Sequence, residues 1–233
     1  MLEVKDLYVG YYKDLNILQG VSVMAQEAKI TTILGANGVG KSTLLKAVYG
    51  FLKPNSGNVL LDGESLLGVP THLRIDMGIS YIPQQPGIFQ WMTVEENLEL
   101  GAWTFKKDKA RIRQKLEENY GRFPALQDRR KSKAGELSGG MQRMVEVGRT
   151  LMTDPKVILV DEPTAGLAKL LSEDVYRMLV QLRDEVGMTI VLVDQEIRQA
   201  LKIADYVYVL ELGRNRFEGP VEEFTDLKKA FWV

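Results

Sequence analysis

The sequence contains no cysteine and a single histidine among its 233 residues. Without thiols there can be no disulfide, no zinc thiolate site and no thiol nucleophile, a composition that fits a reducing interior. His72, in GVPTHLRIDMG, lies outside every motif and is expected at the surface or in helix packing rather than in catalysis. Long apolar runs are also missing. A bilayer crossing needs about 18 or more consecutive apolar residues, so the chain is expected not to span a membrane, though it could rest against a protein that does. The start, MLEVKDLYVG, has no basic segment followed by an apolar one and does not read as a signal peptide. Charge of one sign is not in excess either: 30 Lys and Arg oppose 31 Asp and Glu, for a net charge of -1. Nucleic-acid affinity rests on neutralising many phosphates with a basic face, so no nucleic-acid partner is expected. Two basic runs, 106–115 and 129–133, read as solvated helical faces.

What is present is an ordinary globular composition, 45% hydrophobic and 26% charged, sufficient for one large domain with a sizeable core. Leu2, Val4, Leu7 and Val9, then Val21 and Val23, have the spacing of two antiparallel strands. KITTIL (29–34) is a β-branched run that ends in a glycine-rich turn, and STLLKAVYGF after it is helical, stopped by Gly50 and Pro54. NVLLDGESL and GISYI (78–82) supply further strands. From about 90 to 135 the spacing turns helical with many charges. The strand pattern resumes with KVILV (156–160), a helix, MTIVLV (188–193), another helix, and a hairpin of YVYVLEL and RNRFEG. Short apolar strands alternating with helices imply an α/β core with a parallel sheet covered on both sides. The domain boundaries that follow are a core of 1–83 and 156–233, including the antiparallel strands, with a helical subdomain inserted at 84–155.

GANGVGKST, at 35–43, has the G-x-x-x-x-G-K-[ST] spacing between a strand and a helix, the context that a phosphate-binding loop requires. Gly35, Gly38 and Gly40 free the backbone so that N–H groups converge on phosphate oxygens; Ala36, Asn37, Val39 and Thr43 complete the loop. Lys41 supplies charge for the β and γ phosphates, and the Ser42 hydroxyl can bind magnesium. In VILVDEP, Asp161 emerges where a parallel strand delivers side chains to the loop edge of the sheet, suited to a magnesium shell, and Glu162 follows as a general base. A second glycine turn, LSGGM (137–141), opens a helix whose Met141, Met144, Val145 and Gly148 share one side. Ser138, Gly139 and Gly140 would thus form another helix N-terminus open to an anion.

With these motifs in this order, the chain resembles the ATP-binding cassette ATPases over essentially its whole length. GANGVGKST matches their phosphate loop, LSGGM their LSGGQ signature with Met141 in place of glutamine, and ILVDEP their metal-and-base strand. The resemblance implies hydrolysis of ATP with Mg2+ and a head-to-tail dimer in which the signature turn of one subunit closes on the nucleotide of the other. It also implies that Gln84, rather than Gln85, is the glutamine that contacts metal and water and joins core to helical subdomain. Tyr12 is implied to stack on adenine, with Tyr11 the alternative. Phe89, Trp91 and Met92 fall in the segment where family members meet their membrane partner. Trp91 and Trp103 are otherwise expected to pack locally.

Two positions depart from the family. Ala168, in TAGLA, stands where an aspartate commonly helps communication across the dimer. Gln195, in VDQEIRQAL, stands where a histidine commonly contacts the γ-phosphate. An amide can donate a hydrogen bond but carries no proton charge, so Gln195 is expected to sense γ-phosphate and Glu162 to carry the proton chemistry alone. GANGVGKSTLL, MTVEENL, TAGLA and the VDQ segment together look like the smaller ATPase of branched-chain amino-acid uptake systems, with a urea-uptake branch similar in the same places. The implied partners are a second copy or a paralogous ATPase, integral membrane permeases and, indirectly, an extracytoplasmic solute-binding protein. The implied location is cytoplasmic, on the inner face of the cell membrane. Cassette ATPases acting on nucleic acid, and a nucleotide sensor without turnover, are the other readings.

Overall fold

The computed structural model describes residues 1–12 and 15–224. The chain begins with β1 (Leu2–Val9) and β2 (Leu18–Ala25), paired antiparallel as their spacing predicts. It then enters β3 (Ile30–Leu34), all five residues buried, and the helix α1 (Lys41–Tyr49), closed by left-handed Gly50. β4 (Ser56–Leu61) and the two-residue β5 (Glu64–Ser65) return to the first pair, giving an antiparallel sheet in the order β2-β1-β4-β5. The short α2 (Thr71–Arg74) carries His72, exposed and away from the glycine turns, before β6 (Ile79–Ile82).

Four helices follow before the next strand: α3 (Val94–Leu100), α4 (Lys109–Arg122), α5 (Pro124–Asp128) and α6 (Gly139–Leu151). α3 starts where Thr93 and Glu96 satisfy each other's backbone N–H in a capping box. The remainder is β7 (Val157–Asp161), α7 (Lys169–Val186), β8 (Thr189–Val193), α8 (Ile197–Ile203), β9 (Tyr206–Glu211) and β10 (Arg214–Pro220).

The second sheet has the order β10-β9-β3-β8-β7-β6. Its strands are parallel except β10, which pairs antiparallel with β9 as the predicted hairpin. β7 and β8 are buried along their whole length, which is why they read as continuous apolar runs rather than alternating ones. The two-residue period nonetheless sorts their side chains. Ile158, Val160, Ile190 and Leu192 face a core shared with α3, α4, α6 and α7. Val157, Leu159, Val191 and Val193 face a second core under α1 and the antiparallel sheet. Both faces are covered as the strand–helix alternation implies, but on one of them the cover includes a sheet. The two sheets are tied by Tyr208 OH, which accepts from Met24 N at 2.9 Å, and by Asn215 Nδ2, which donates to Ser22 O at 2.6 Å.

Candidate functional site

The carboxyl ends of β3, β6, β7 and β8 point the same way, and every chemically suggestive side chain of the core lies just beyond them. β3 runs into the 35–43 loop, where Gly35, Gly38 and Gly40 all have positive φ. At Gly35 a Cβ would come 2.4 Å from Leu210 O, and at Gly40 2.5 Å from Leu18 Cδ2, so these two positions exclude side chains on space as well as on conformation. α1 starts at Lys41 with no side chain capping it. Its first N–H groups therefore face the loop's hollow unclaimed by any side chain, the arrangement that favours an anion.

The Lys41 ammonium, 5% exposed, donates to Gly35 O at 2.8 Å and Ala36 O at 3.0 Å. Burial pushes its pKa down, and the carboxylates of Glu162, Asp161 and Asp194 pull it partly back. An ammonium hydrogen-bonded to two carbonyls at the start of a helix suits the binding of an anion.

Ser42, one position on, donates to Asp161 Oδ1 at 2.8 Å although 119 residues separate them. Asp161 ends β7, and its other oxygen, Oδ2, accepts from Tyr81 OH at 2.8 Å. A hydroxyl and a carboxylate in contact form an oxygen-only donor pair. Such a pair suits Mg2+, which takes few protein ligands and completes its shell with water and phosphate oxygens. Among the described residues no group of three or more His, Cys, Asp and Glu could hold a metal ion.

Glu162 has φ of 46°, an uncommon value for a residue with a Cβ, and its N–H is fixed to Val193 O at 2.7 Å. The side chain is 7% exposed. Its Oε2 receives two amides, Gln84 Nε2 at 2.7 Å and Gln195 Nε2 at 2.5 Å. Burial pushes the carboxyl pKa up, the Gln195 hydrogen bond pulls it down, and Asp161 pushes it up again, for a net rise. A carboxylate of raised pKa has increased basicity, the property that a general base needs. Glu162, Gln84, Gln195, Thr164, Gly166 and Asp194 line a cavity of about 470 Å³ on the open side of the sheet edge. Ala168 caps α7 without a side-chain hydrogen bond.

The second glycine turn stands apart. Ser138 caps α6 and accepts from Met141 N at 3.4 Å. Gly139 and Gly140 lie against Leu167 and Leu171, where a Cβ would come within 2.8 and 3.2 Å. Among the described residues, no hydrogen bond links 137–141 to the 35–43 loop, and Ser138 lines neither Lys41's surroundings nor the Glu162 cavity.

Sequence reasoning missed what joins α6 to Gln84. Arg143 Nη1 donates to Pro83 O at 2.8 Å and Nη2 to Gln84 O at 2.7 Å. Nη1 also pairs with Glu146 at 2.6 Å, and Glu146 in turn accepts from Gly87 N at 2.7 Å. Both side chains are 2% exposed. The signal was available as an opposite-charge pair spaced i,i+3, but such spacing is more often found on a wet helix face. The expected apolar side of α6 holds in part: Val145 and Gly148 are buried, Met141 and Met144 half-buried against the core.

The aromatic residues fall differently from the expectation of local packing. Trp91 is 84% and Trp103 67% exposed, and Phe89 is exposed as well. Lys133 lies 5.7 Å over Trp91 and Lys106 3.7 Å over Trp103. A helix of only seven residues, α3, lies between them and cannot cover either ring. Tyr11 and Tyr12 are both exposed, Tyr12 the more so.

The chain is similar to known proteins over most of its length. Residues 18–165 match the ABC transporter family. The "probable branched-chain amino acid transport ATP-binding protein LivF" of Archaeoglobus fulgidus is 38% identical, over 98% of this chain and 96% of its own. The "high-affinity branched-chain amino acid transport ATP-binding protein BraG" of Pseudomonas aeruginosa is 41% identical, over 88% of this chain and 86% of its own. Among solved structures, the dimeric post-hydrolysis state of the ATP-binding cassette MJ0796, bound to ADP and Pi, superposes with a TM-score of 0.80. It is 26% identical, over 95% of this chain and 99% of that one.

Proposed function

The chain belongs to the ATP-binding cassette transporter family, and from that premise we propose that it is the ATP-hydrolysing subunit of an importer that takes up branched-chain amino acids through membrane permeases. The substrate class rests on the names of the two similar relatives and on the extent of their similarity. No helix of the described chain is long and apolar enough to cross a membrane, so passage of the solute falls to other subunits.

The residues divide the work as follows. The amides of 35–43 and the N-terminus of α1 hold the phosphates, with Lys41 leaving its two carbonyl partners for the β and γ oxygens. Ser42 and Asp161 hold Mg2+, which when bound neutralises charge building on the transferred phosphoryl group. Glu162 is the general base. Both amide donors land on its Oε2, which leaves Oε1 to accept the proton of the attacking water. Gln84 and Gln195 orient that carboxylate and, as amides, do not titrate. Tyr12 presents an open ring for adenine.

Turnover needs a partner. Among the described residues no hydrogen bond joins the 137–141 turn to the phosphate loop of its own chain, which supports the reading that Ser138, Gly139 and Gly140 close on the nucleotide of a second subunit, a copy or a paralogue. ATP then favours the closed pair because its γ-phosphate contacts both halves, and hydrolysis removes that differential contact. Phe89 and Trp91, exposed beside the Gln84 segment, are where a permease would receive the motion. On this reading the subunit works on the cytoplasmic face of the membrane.

The observation that carries the assignment is the meeting of Lys41, Ser42–Asp161 and Gln84–Glu162–Gln195 at one sheet edge. The test is ATP turnover and nucleotide binding of Glu162→Gln beside wild type. Retained binding with turnover lowered by about 10²-fold or more supports the base assignment; equal turnover rejects it.

A further inference from the structure

Tyr81 belongs to no motif, yet its hydroxyl is bonded to the carboxylate proposed to hold the metal. It sits on β6, in register with Leu159 of β7, two residues before Asp161. Its OH donates to Asp161 Oδ2 at 2.8 Å while Ser42 Oγ donates to Oδ1 at 2.8 Å. The two donors thus claim different oxygens of one carboxylate. The Tyr81 bond therefore does not compete with the Ser42 contact for the same oxygen.

The ring of Tyr81 is held on two sides. Tyr49, at the end of α1, stacks on it with centroids 5.6 Å apart, and Phe51 meets it edge-on at 5.5 Å. Tyr49 and Phe51 are themselves in edge contact at 4.9 Å. The cluster fixes the ring plane and with it the direction of the hydroxyl. Because Tyr49 belongs to the helix that the phosphate loop opens, the same three rings also brace α1 against β6. The phenol O–H donates to the Asp161 carboxylate.

We propose that Tyr81 is a positioning residue for the metal: its hydroxyl holds the Asp161 carboxylate in the rotamer that keeps it beside Ser42, where the pair would hold Mg2+. The proposal rests on the reading of Ser42 and Asp161 as the metal's protein ligands. Outer partners of ligating carboxylates typically set metal affinity by 10- to 100-fold, and a carboxylate free to rotate loses that advantage.

The test is calorimetric binding of ADP to the full chain, once with Mg2+ and once with metal removed by EDTA. In wild type, Mg2+ tightens ADP binding. In Tyr81→Phe, which keeps the ring and its cluster, that gain falls by about tenfold or more, while metal-free ADP binds as in wild type. Half-activating Mg2+ for ATP turnover rises correspondingly, with kcat at saturating Mg2+ little changed. Tyr49→Phe, which deletes a hydroxyl from the same cluster without touching Asp161, leaves the gain intact. An unchanged Mg2+ gain in Tyr81→Phe overturns the proposal, as does equal weakening with and without metal, which marks a packing role only. The underlying metal assignment fails separately, if Asp161→Asn keeps the wild-type gain.

Discussion

The side-chain amide of Gln195 lies 2.5 Å from Glu162 Oε2, on the same oxygen that Gln84 reaches at 2.7 Å. Where a histidine commonly stands in the family, this chain has a donor that cannot change its charge. Gln195 thus steers the base without sharing its proton.

The consequence for variants is a graded series. Glu162→Gln lowers kcat by about 10²- to 10⁴-fold, the usual worth of a general base. Gln195→Ala and Gln84→Ala each remove one hydrogen bond to a charged group, worth about 1.5–3 kcal/mol, or roughly 10- to 150-fold in rate. Steady-state turnover at saturating Mg2+ and ATP orders the three, with Glu162→Gln the slowest. A loss at Gln195 equal to that at Glu162 contradicts the division of roles.

The pH profile follows from the same carboxylate. Glu162 works as a base only when ionised, and burial raises its pKa above the ordinary 4.5. Turnover therefore falls on the acid side with a midpoint above that value and is full at higher pH. The residual rate of Glu162→Gln loses this acid limb. A kcat profile measured between pH 5 and 9 in both proteins checks the sign.

The Arg143–Glu146 pair makes a stability prediction. Glu146→Ala leaves a guanidinium enclosed and unpaired and costs about 3–5 kcal/mol, whereas Arg143→Met with Glu146→Leu recovers much of that loss. Urea denaturation reads both. The double variant does not recover turnover, because the Pro83 and Gln84 carbonyls have lost their donors. Recovery of both stability and turnover would show that the pair only packs.

How far the sequence shows this depends on the scale of the interaction. β7 and β8 are visible as apolar runs and β3 as a β-branched one because all three are buried on both faces, and the 35–43 loop is visible because its glycines, lysine and serine are local to one turn. Ser42 and Asp161 each read as suited to magnesium from their motifs, but the contact between them depends on which strands adjoin, and spacing along a chain does not give that. Arg143 and Glu146 are hidden because charge ordinarily signals solvent, and only a fold that buries α6 on several sides makes it an internal strut. Tyr81 reads as one more strand aromatic; that its hydroxyl is spent on Asp161 depends on the pairing of β6 with β7. Trp91 reads as packing locally because a large apolar ring usually finds a neighbour, yet it is left exposed.

The central claim is that one chain holds half a catalytic site and a partner completes it. Its most direct test is subunit mixing, under conditions where wild type hydrolyses ATP. Lys41→Ala lacks a working phosphate loop but keeps its 137–141 turn, and Ser138→Arg has the reverse defect. Each alone is predicted to be inactive, and their mixture to regain turnover, because a mixed pair contains one intact site drawn from both chains. Full activity of Ser138→Arg alone, or no recovery on mixing, contradicts the account.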